Sequence, residues 1–231
     1  MKSKQFSILL LSITLFTNCT TTSNNDPVVE PSISNVTDID GNVYQTVKIG
    51  TQIWTQKNLN VSNYRNGDAI PQVQTPSDFS GLTTGAWCYY ENGPDATDEV
   101  YGKLYNWFAV NDPRGLAPEG YHVPSDTEWT TVVSYLGGIS VAGGKMKATG
   151  TLLWSSPNEE ATNSSGFTGL PGGFREWTGV SGGIESGGYW WSSTGDGPLG
   201  AWNFSLAAGN GGAYRNSQRT TIGNSIRCLK D

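Results

Sequence analysis

Residues that could carry catalysis are few in this chain, and its single histidine is His122. A Ser-His-Asp arrangement needs an exposed imidazole beside a nucleophile and a carboxylate. His122 instead comes directly before Val123-Pro124 and a predicted helix start, a setting that favours a hydrogen bond from the imidazole to loop backbone. The sequence therefore predicts no catalytic residue and no enzyme.

Two acidic stretches have the oxygen-rich composition of calcium loops. Residues 38–42 (DIDGN) show the spacing of half such a loop, but they lack the distal bidentate Glu and fit the entry of a hairpin. Residues 91–99 are more acidic, yet a solvated loop before a helix N-terminus explains their charges equally well. We therefore predict neither a metal site nor a cofactor.

Aromatic residues of the second half offer another chemistry, the stacking of sugar rings on aromatic faces. The candidates are four aromatic platforms and three partners for sugar hydroxyls: Trp154, Trp177, Trp202, Tyr214, Asn203, Asn210 and Arg215. Tryptophan is mostly buried in proteins, so the competing interpretation places each Trp in the core.

The first residues predict export. Lys2 and Lys4 precede an apolar run at 6–16, which is too short for a bilayer that needs about 20 residues and is typical of a signal peptide. The run leads to Cys19 in a sequence that resembles a bacterial lipobox, although Asn18 replaces the usual small residue; an ordinary signal peptide is the alternative. The expected organisation is a signal peptide at 1–18, a lipidated Cys19 with a flexible tether at 19–35, and one domain at 36–231. Lipid at Cys19 would attach the domain to the outer membrane, on its surface or periplasmic face.

Lipidation of Cys19 leaves two of the three cysteines, Cys88 and Cys228, free to pair in an oxidising envelope. Such a disulfide would tie the last segment of the chain to its first half. Two buried thiols are the alternative, because sequence alone does not place the two Cα atoms within bonding distance.

Charge excludes nucleic acid as a partner. Lys and Arg number 14 against 20 Asp and Glu, a net charge of -6 at pH 7. No basic stripe is available to neutralise a phosphate backbone.

Periodicity predicts the elements that position these residues. Residues 42–58 alternate around a turn at Gly50-Thr51-Gln52, a hairpin signal. Apolar residues at helical spacing predict a helix at Glu99–Val110. A second helix is predicted at Ser125–Leu136, where Ser125 and Glu128 form a capping box.

Glycine then dominates, and only a marginal helical turn is predicted around Ala142–Ala148. Half of the chain's 30 glycines lie within 165–212, where short strands at 189–193 and 201–206 are predicted between long loops. A last strand is predicted at 224–229. Two main helices with short antiparallel strands and long Gly/Trp-rich loops predict an α+β domain.

Blocks of residues in unbroken order look like the Fibrobacter succinogenes major paralogous domain over about residues 37–231. They include Val47-Lys48-Ile49-Gly50, Gly102-Lys103-Leu104-Tyr105-Asn106-Trp107, Gly120-Tyr121-His122-Val123-Pro124-Ser125-Asp126, Gly169-Leu170-Pro171-Gly172-Gly173, Tyr189-Trp190-Trp191-Ser192-Ser193 and Ser225-Ile226-Arg227-Cys228. The resemblance implies a lipid-anchored or secreted envelope protein and implies no particular activity. Ala117 stands where many members carry a cysteine. More distantly, the order of elements is similar to that of C-type lectin-like domains, which implies a single domain of that fold.

The expected function is a non-catalytic interaction module that binds a glycan or an envelope protein. A structural spacer without a ligand is the alternative, and an enzyme is the least favoured reading.

Overall fold

The computed structural model of this protein describes residues 35–79, 81–90 and 100–231. The predicted signal peptide, Cys19, nearly all of the tether and the acidic stretch 91–99 lie outside these residues. The predicted α+β class with two main helices is wrong, because the fold is mostly β, with 34% strand against 13% helix.

The first sheet joins the two ends of the domain. Its strand order is β1-β2-β3-β12-β6, with β1 at Asn35–Thr37, β2 at Val43–Ile49, β3 at Gln52–Thr55, β6 at Tyr121–His122 and β12 at Leu229–Lys230. Strands β2 and β3 form the predicted hairpin, with Ile49 opposite Gln52 across its turn. Leu229 of β12 is opposite both Trp54 and His122, so backbone pairing holds the last segment against the first half.

The glycine-rich second half forms the other five-stranded sheet, in the order β11-β10-β9-β7-β8. Its strands are β7 at Gly172–Arg175, β8 at Ser181–Ile184, β9 at Gly187–Asp196, β10 at Gly200–Ala207 and β11 at Ala213–Arg219. The strands predicted at 189–193 and 201–206 are longer in the structure, where β9 has 10 residues and β10 has 8. The described residues also include a two-stranded sheet of β4 (Trp87–Cys88) and β5 (Leu104–Tyr105).

The described helices are short: α1 at Pro76–Phe79, α2 at Trp107–Val110, α3 at Asp126–Tyr135 and α4 at Ala142–Met146. None of them is long and apolar enough to cross a bilayer. Helix α3 confirms the predicted start at Ser125, whose side chain accepts from the Glu128 amide while Glu128 bonds back to the Ser125 backbone. Helix α4 confirms the short helical turn.

The helix predicted at Glu99–Val110 is interrupted in its described part by strand β5, so the prediction of one continuous helix is wrong. Its backbone pairs with the C-terminal segment instead, because Tyr105 N donates to Asn224 O at 2.9 Å and Asn224 N returns a bond of 3.1 Å to Tyr105 O. Trp107 N donates to Thr220 O at 2.9 Å. Among the described residues of this stretch, only 100–101 and the single turn of α2 are helical, and Leu104 and Tyr105 are buried in strand β5, paired with β4.

Helix α3 fills the space between the two sheets through Trp129. Its ring lies 4.7 Å from Trp54 of the first sheet and stacks at 5.2 Å on Phe204 of the second. Both contacts are within the range of favourable aromatic pairs. All three side chains are buried, so this aromatic cluster forms a central part of the core.

A buried cation also connects the first sheet to the loop at 167–168 and, through Asn58, which accepts from Trp190 of β9, to the second sheet. The Arg227 side chain is 0% exposed, and its guanidinium donates to four oxygens at 2.7–2.8 Å: Asn58 Oδ1, Thr55 O, Phe167 O and Thr168 O. Burial lowers the pKa of this guanidinium. The bonds compensate the cost of removing the charge from water.

Candidate functional site

A cavity of about 300 Å³ opens beside the turn between β10 and β11. We call it the turn pocket, and its lining comprises Ile139, Ser140, Glu159, Glu160, Asn210, Gly211, Gly212 and Tyr214. Ile139 is 53% exposed and Tyr214 is 41% exposed, so the pocket has apolar surface beside its carboxylates. Its volume lies at the lower end of the range for small-ligand sites.

The side-chain amide of Asn210 is held in one orientation at the turn pocket by two hydrogen bonds. Its Oδ1 accepts from Gly212 N at 2.9 Å and from the Tyr214 hydroxyl at 3.1 Å. These bonds set the orientation of the amide. Its Nδ2 then remains a donor with no acceptor among the described residues.

Lys147 forms the base of the same region. It is 0% exposed, and its Nζ donates to Glu159 O at 2.7 Å, Ala207 O at 2.9 Å and Asn210 O at 2.8 Å. An ammonium has three protons, so every one of them has an acceptor. Burial lowers the pKa of Lys147, and the negative charges of Glu159 and Glu160 partly offset this lowering.

A family model described as the Fibrobacter succinogenes major domain matches residues 47–230, most of the chain. The chain belongs to this family. A search of curated proteins and a search of solved structures each found no match.

The turn pocket of this Fibrobacter succinogenes major domain contains two of the seven predicted ligand residues, Asn210 and Tyr214. Trp154 is only 1% exposed and donates from Nε1 to Gly169 O at 3.0 Å, so it belongs to the core. Asn203 is 0% exposed, and its Nδ2 donates to Gln218 Oε1 at 2.9 Å. Neither Trp154 nor Asn203 is available to a ligand, which corrects both predictions.

The other three predicted residues lie on the surface outside the turn pocket. Arg215 lies 3.2 Å from the Trp202 ring centroid and forms an ion pair with Asp126 at 2.6 Å. Trp177 is 43% exposed, with the Arg219 guanidinium 4.9 Å from its ring. Trp202 and Trp177 each have an arginine against the ring, and such contacts contribute about 0.5–1 kcal/mol at exposed sites.

The predicted disulfide is not formed. Cys88 and Cys228 are separate buried thiols, and they lie in two different hydrophobic clusters. The pairing of β12 with β3 and β6 makes the connection that the disulfide was expected to provide. Burial raises the pKa of the Cys228 thiol to about 12, which keeps it protonated.

His122 contacts carboxylates, whereas loop backbone was predicted. Its Nδ1 lies 2.7 Å from Asp231 Oδ1 and its Nε2 lies 3.0 Å from Glu128 Oε1. Ser125 Oγ donates to Glu128 Oε2 at 2.8 Å. This arrangement connects β6, the residue that follows β12 and the start of α3, and it places no serine hydroxyl against the imidazole as nucleophilic catalysis requires.

The carboxyl of Glu128 makes an acid-sensitive contribution to stability. Burial acts most strongly and raises its pKa, but bonds from the Ser125 backbone and hydroxyl, together with His122, outweigh burial and hold the pKa below its usual value. A carboxyl whose pKa is lower in the folded state stabilises the fold above its unfolded pKa of about 4.3. That contribution is lost as the pH falls through the folded pKa.

We therefore expect Glu128→Gln to have a lower unfolding free energy than wild type at pH 7. The difference should be about 1 kcal/mol or less, because the site is partly solvated. Glutamine retains an acceptor for the capping box, so the comparison isolates the charge. Urea unfolding at pH 7, 5 and 3 tests this. The difference should shrink towards zero at the lowest pH, and a difference that stays constant with pH contradicts the assignment.

The stretch at 38–42 is a turn held by its own side chains. Asp38 Oδ1 accepts from the amides of Asp40 and Asn42, and Asp38 Oδ2 accepts from the Tyr44 hydroxyl at 2.6 Å. Asp40 Oδ1 accepts from Asn63 Nδ2 at 2.7 Å. Donors of the chain thus occupy the oxygens that a cation would need, and the described residues contain no group of three or more His, Cys, Asp or Glu placed to hold a metal.

Sequence reasoning missed Glu159, Glu160 and Lys147. The adjacent acidic pair in a polar loop after Pro157 was a usable signal for Glu159 and Glu160. Lys147 gave no such signal, because its role depends on carbonyls 12 to 63 residues away in sequence.

Proposed function

We propose that the domain is a non-catalytic glycan-binding module of a lipid-anchored envelope protein. The main support is the Asn210 amide in the lining of the turn pocket. Its oxygen accepts two hydrogen bonds within the fold, and its nitrogen remains a hydrogen-bond donor. The carboxylates of Glu159 and Glu160 make no hydrogen bond to another described residue and are exposed. An amide donor beside carboxylate acceptors suits neighbouring sugar hydroxyls, which both donate and accept.

Apolar surface at the turn pocket supports the same ligand class. Ile139 and Tyr214 together provide an aliphatic and an aromatic surface. Sugar rings carry C–H faces that pack on such surfaces while their hydroxyls bond to polar groups. A neutral polyol therefore fits the pocket better than a phosphate, which the two carboxylates would repel.

Membrane attachment is proposed from the N-terminal sequence alone. Lys2, Lys4, the apolar run at 6–16 and Cys19 support a lipid anchor, and residues 20–35 supply a polar tether. An anchored binding module would hold its glycan at the outer membrane, whichever face it occupies.

A glycan array probed with the full chain in detergent tests the function, with calcium and again with chelator. We expect binding to neutral glycans that chelator does not remove. Affinity should fall by about tenfold or more for Asn210→Ala, which removes a ligand bond worth about 1–3 kcal/mol, and for Glu160→Gln, which replaces a charge-assisted bond to a sugar hydroxyl with a weaker neutral one.

Glu119→Gln is the matched control, because it removes an exposed carboxylate outside the turn pocket. It should leave affinity unchanged. The proposal fails if the folded protein binds no glycan on the array, or if binding is unaffected by both pocket variants.

A further inference from the structure

Two tyrosines on the second sheet each place the ring over a glycine of the same chain segment. Each follows a glycine by two positions, in Gly187-Gly188-Tyr189 on β9 and Gly212-Ala213-Tyr214 at the start of β11. A Cβ on Gly187 would lie 2.8 Å from Cε2 of Tyr189, and a Cβ on Gly212 would lie 2.6 Å from the Tyr214 hydroxyl oxygen. Only glycine leaves room for rings this close to the backbone. Both rings therefore lie against their own strands.

The two tyrosines also share one face of the sheet. Ser205 of β10 is the cross-strand partner of both Tyr189 and Tyr214, and directly paired residues point to the same side. Neighbouring strands lie about 4.8 Å apart, so the two tyrosines stand roughly 10 Å apart across β10. Strands β9 and β11 run parallel to each other, so both rings lean towards the same end of the sheet.

Small polar groups lie on the same face beside the rings. Asn216 Nδ2 donates to Ser205 Oγ at 3.1 Å, while Asn216 Oδ1 and the Tyr189 hydroxyl make no hydrogen bond to another described residue. Register places Gln218 and the buried Asn203 on this face as well, and no residue of β10 or β11 on this face is charged. The face is an uncharged furrow bordered by two aromatic rings.

The furrow is continuous with the turn pocket. Tyr214 belongs to both, because its hydroxyl donates to Asn210 Oδ1 while its ring borders the furrow. A ligand held at Asn210 would therefore extend over Ser205 towards Tyr189.

We propose that Tyr189 and Tyr214 are paired stacking platforms for one neutral oligosaccharide that lies across strands β9, β10 and β11. The rings take two sugar units, and Asn216 with the Tyr189 hydroxyl bonds the hydroxyls between them. This proposal rests on the proposed function, and it identifies the ligand as an extended chain of sugars longer than a monosaccharide. Absence of charge in the furrow favours such a chain over a charged peptide.

Oligosaccharide length is the readout that separates the furrow from the pocket. The full chain is titrated with monosaccharide to hexasaccharide in the β-linked glucose, xylose, mannose and N-acetylglucosamine series. In at least one series, we expect affinity to rise by about tenfold or more between the monosaccharide and the tetrasaccharide. Tyr189→Ala should abolish that rise and leave monosaccharide affinity within about twofold of wild type.

Matched controls address folding. Tyr135→Ala removes a tyrosine that is 67% exposed elsewhere, and it should leave the length dependence intact. Gly187→Ala should reduce the length dependence by displacing the Tyr189 ring, whereas Gly209→Ala, with no heavy atom within 4 Å of its Cβ, should not.

Equal affinity at every length, or a rise that survives Tyr189→Ala, overturns the furrow while leaving the pocket in place. Absence of binding at every length overturns the furrow and the proposed function together.

Discussion

Arg227→Met is expected to lower the unfolding free energy by about 3 kcal/mol or more, a large part of the 5–15 kcal/mol typical of a domain. Methionine keeps much of the aliphatic volume and removes every donor. The carbonyls of Thr55, Phe167 and Thr168 would each lose a bond of 2.7–2.8 Å in the interior. An unpaired buried acceptor costs about 1–3 kcal/mol.

Arg227 bonds to several separate segments, so no single neighbouring group can replace its hydrogen bonds. Its bonds reach β3, the loop at 167–168 and Asn58, whose Oδ1 also accepts from Trp190 Nε1 at 2.8 Å. Thr168 has a φ of 54°, an unusual conformation for a β-branched residue that surrounding bonds must hold. Loss of the guanidinium therefore removes support from both sheets and from a strained turn.

Urea unfolding of the full chain measures this effect. Arg219→Met is the matched control, because Arg219 is exposed and its aromatic contact with Trp177 is worth about 1 kcal/mol or less. Arg227→Lys should give an intermediate loss, since one ammonium cannot reproduce the spread of a guanidinium. If Arg227→Met unfolds within about 1 kcal/mol of wild type, Arg227 is not the buried connection between the sheets.

Local signals in the sequence predicted the local structure well. Ser125 and Glu128 lie three residues apart, so the capping box that starts α3 is complete within one turn of chain. The hairpin of β2 and β3 is equally local, because its strands alternate on either side of a tight turn.

Long-range pairing explains where the same reasoning was wrong. In the stretch predicted as a helix at Glu99–Val110, backbone groups bond to Asn224 and Thr220 and not to the next helical turn. These partners lie more than 100 residues later in the chain, so no local periodicity could indicate them. Glycine density in 165–212 suggested loops, yet glycines such as Gly187 and Gly212 make room for rings against long strands. The sequence pattern reports which residues are apolar, but it does not report which distant strand they meet.

The candidate site was predicted only in part, for a related reason. Tyr214 and Asn210 lie close in sequence, so their contact follows from the β10–β11 turn itself. Trp154 and Trp202 carry the same aromatic signal but differ in burial, since Trp154 lies in the core and Trp202 is partly exposed beside Arg215. Composition identifies aromatic residues and cannot separate a platform from a core side chain.

Lys147→Met is expected to weaken both stability and binding, because Lys147 connects the core to the turn pocket. Its three bonds hold the carbonyls of Glu159, Ala207 and Asn210, and two of these residues line the pocket. Methionine keeps most of the aliphatic part of lysine and leaves those carbonyls without their donor. We expect a loss of about 2–4 kcal/mol in unfolding free energy.

Hydrogen exchange gives a readout that does not depend on any ligand. The Glu159 amide donates to Ala208 O at 2.7 Å, and the Gly144 amide donates to Gly211 O at 2.9 Å. In Lys147→Met, both amides should exchange about tenfold faster or more relative to amides of α3, because the turn between β10 and β11 loses its internal support.

Lys145→Met separates this role from a general effect of charge. Lys145 lies in α4, two residues before Lys147, and its side chain makes one hydrogen bond, from Nζ to Leu136 O at 2.8 Å. Its loss should therefore cost about 1 kcal/mol and leave exchange at the turn unchanged. Glycan affinity should fall by about tenfold for Lys147→Met and stay near wild type for Lys145→Met. Equal exchange in the two variants would mean that the three carbonyls are held by the surrounding strands, and that Lys147 neutralises the nearby carboxylates without ordering the pocket.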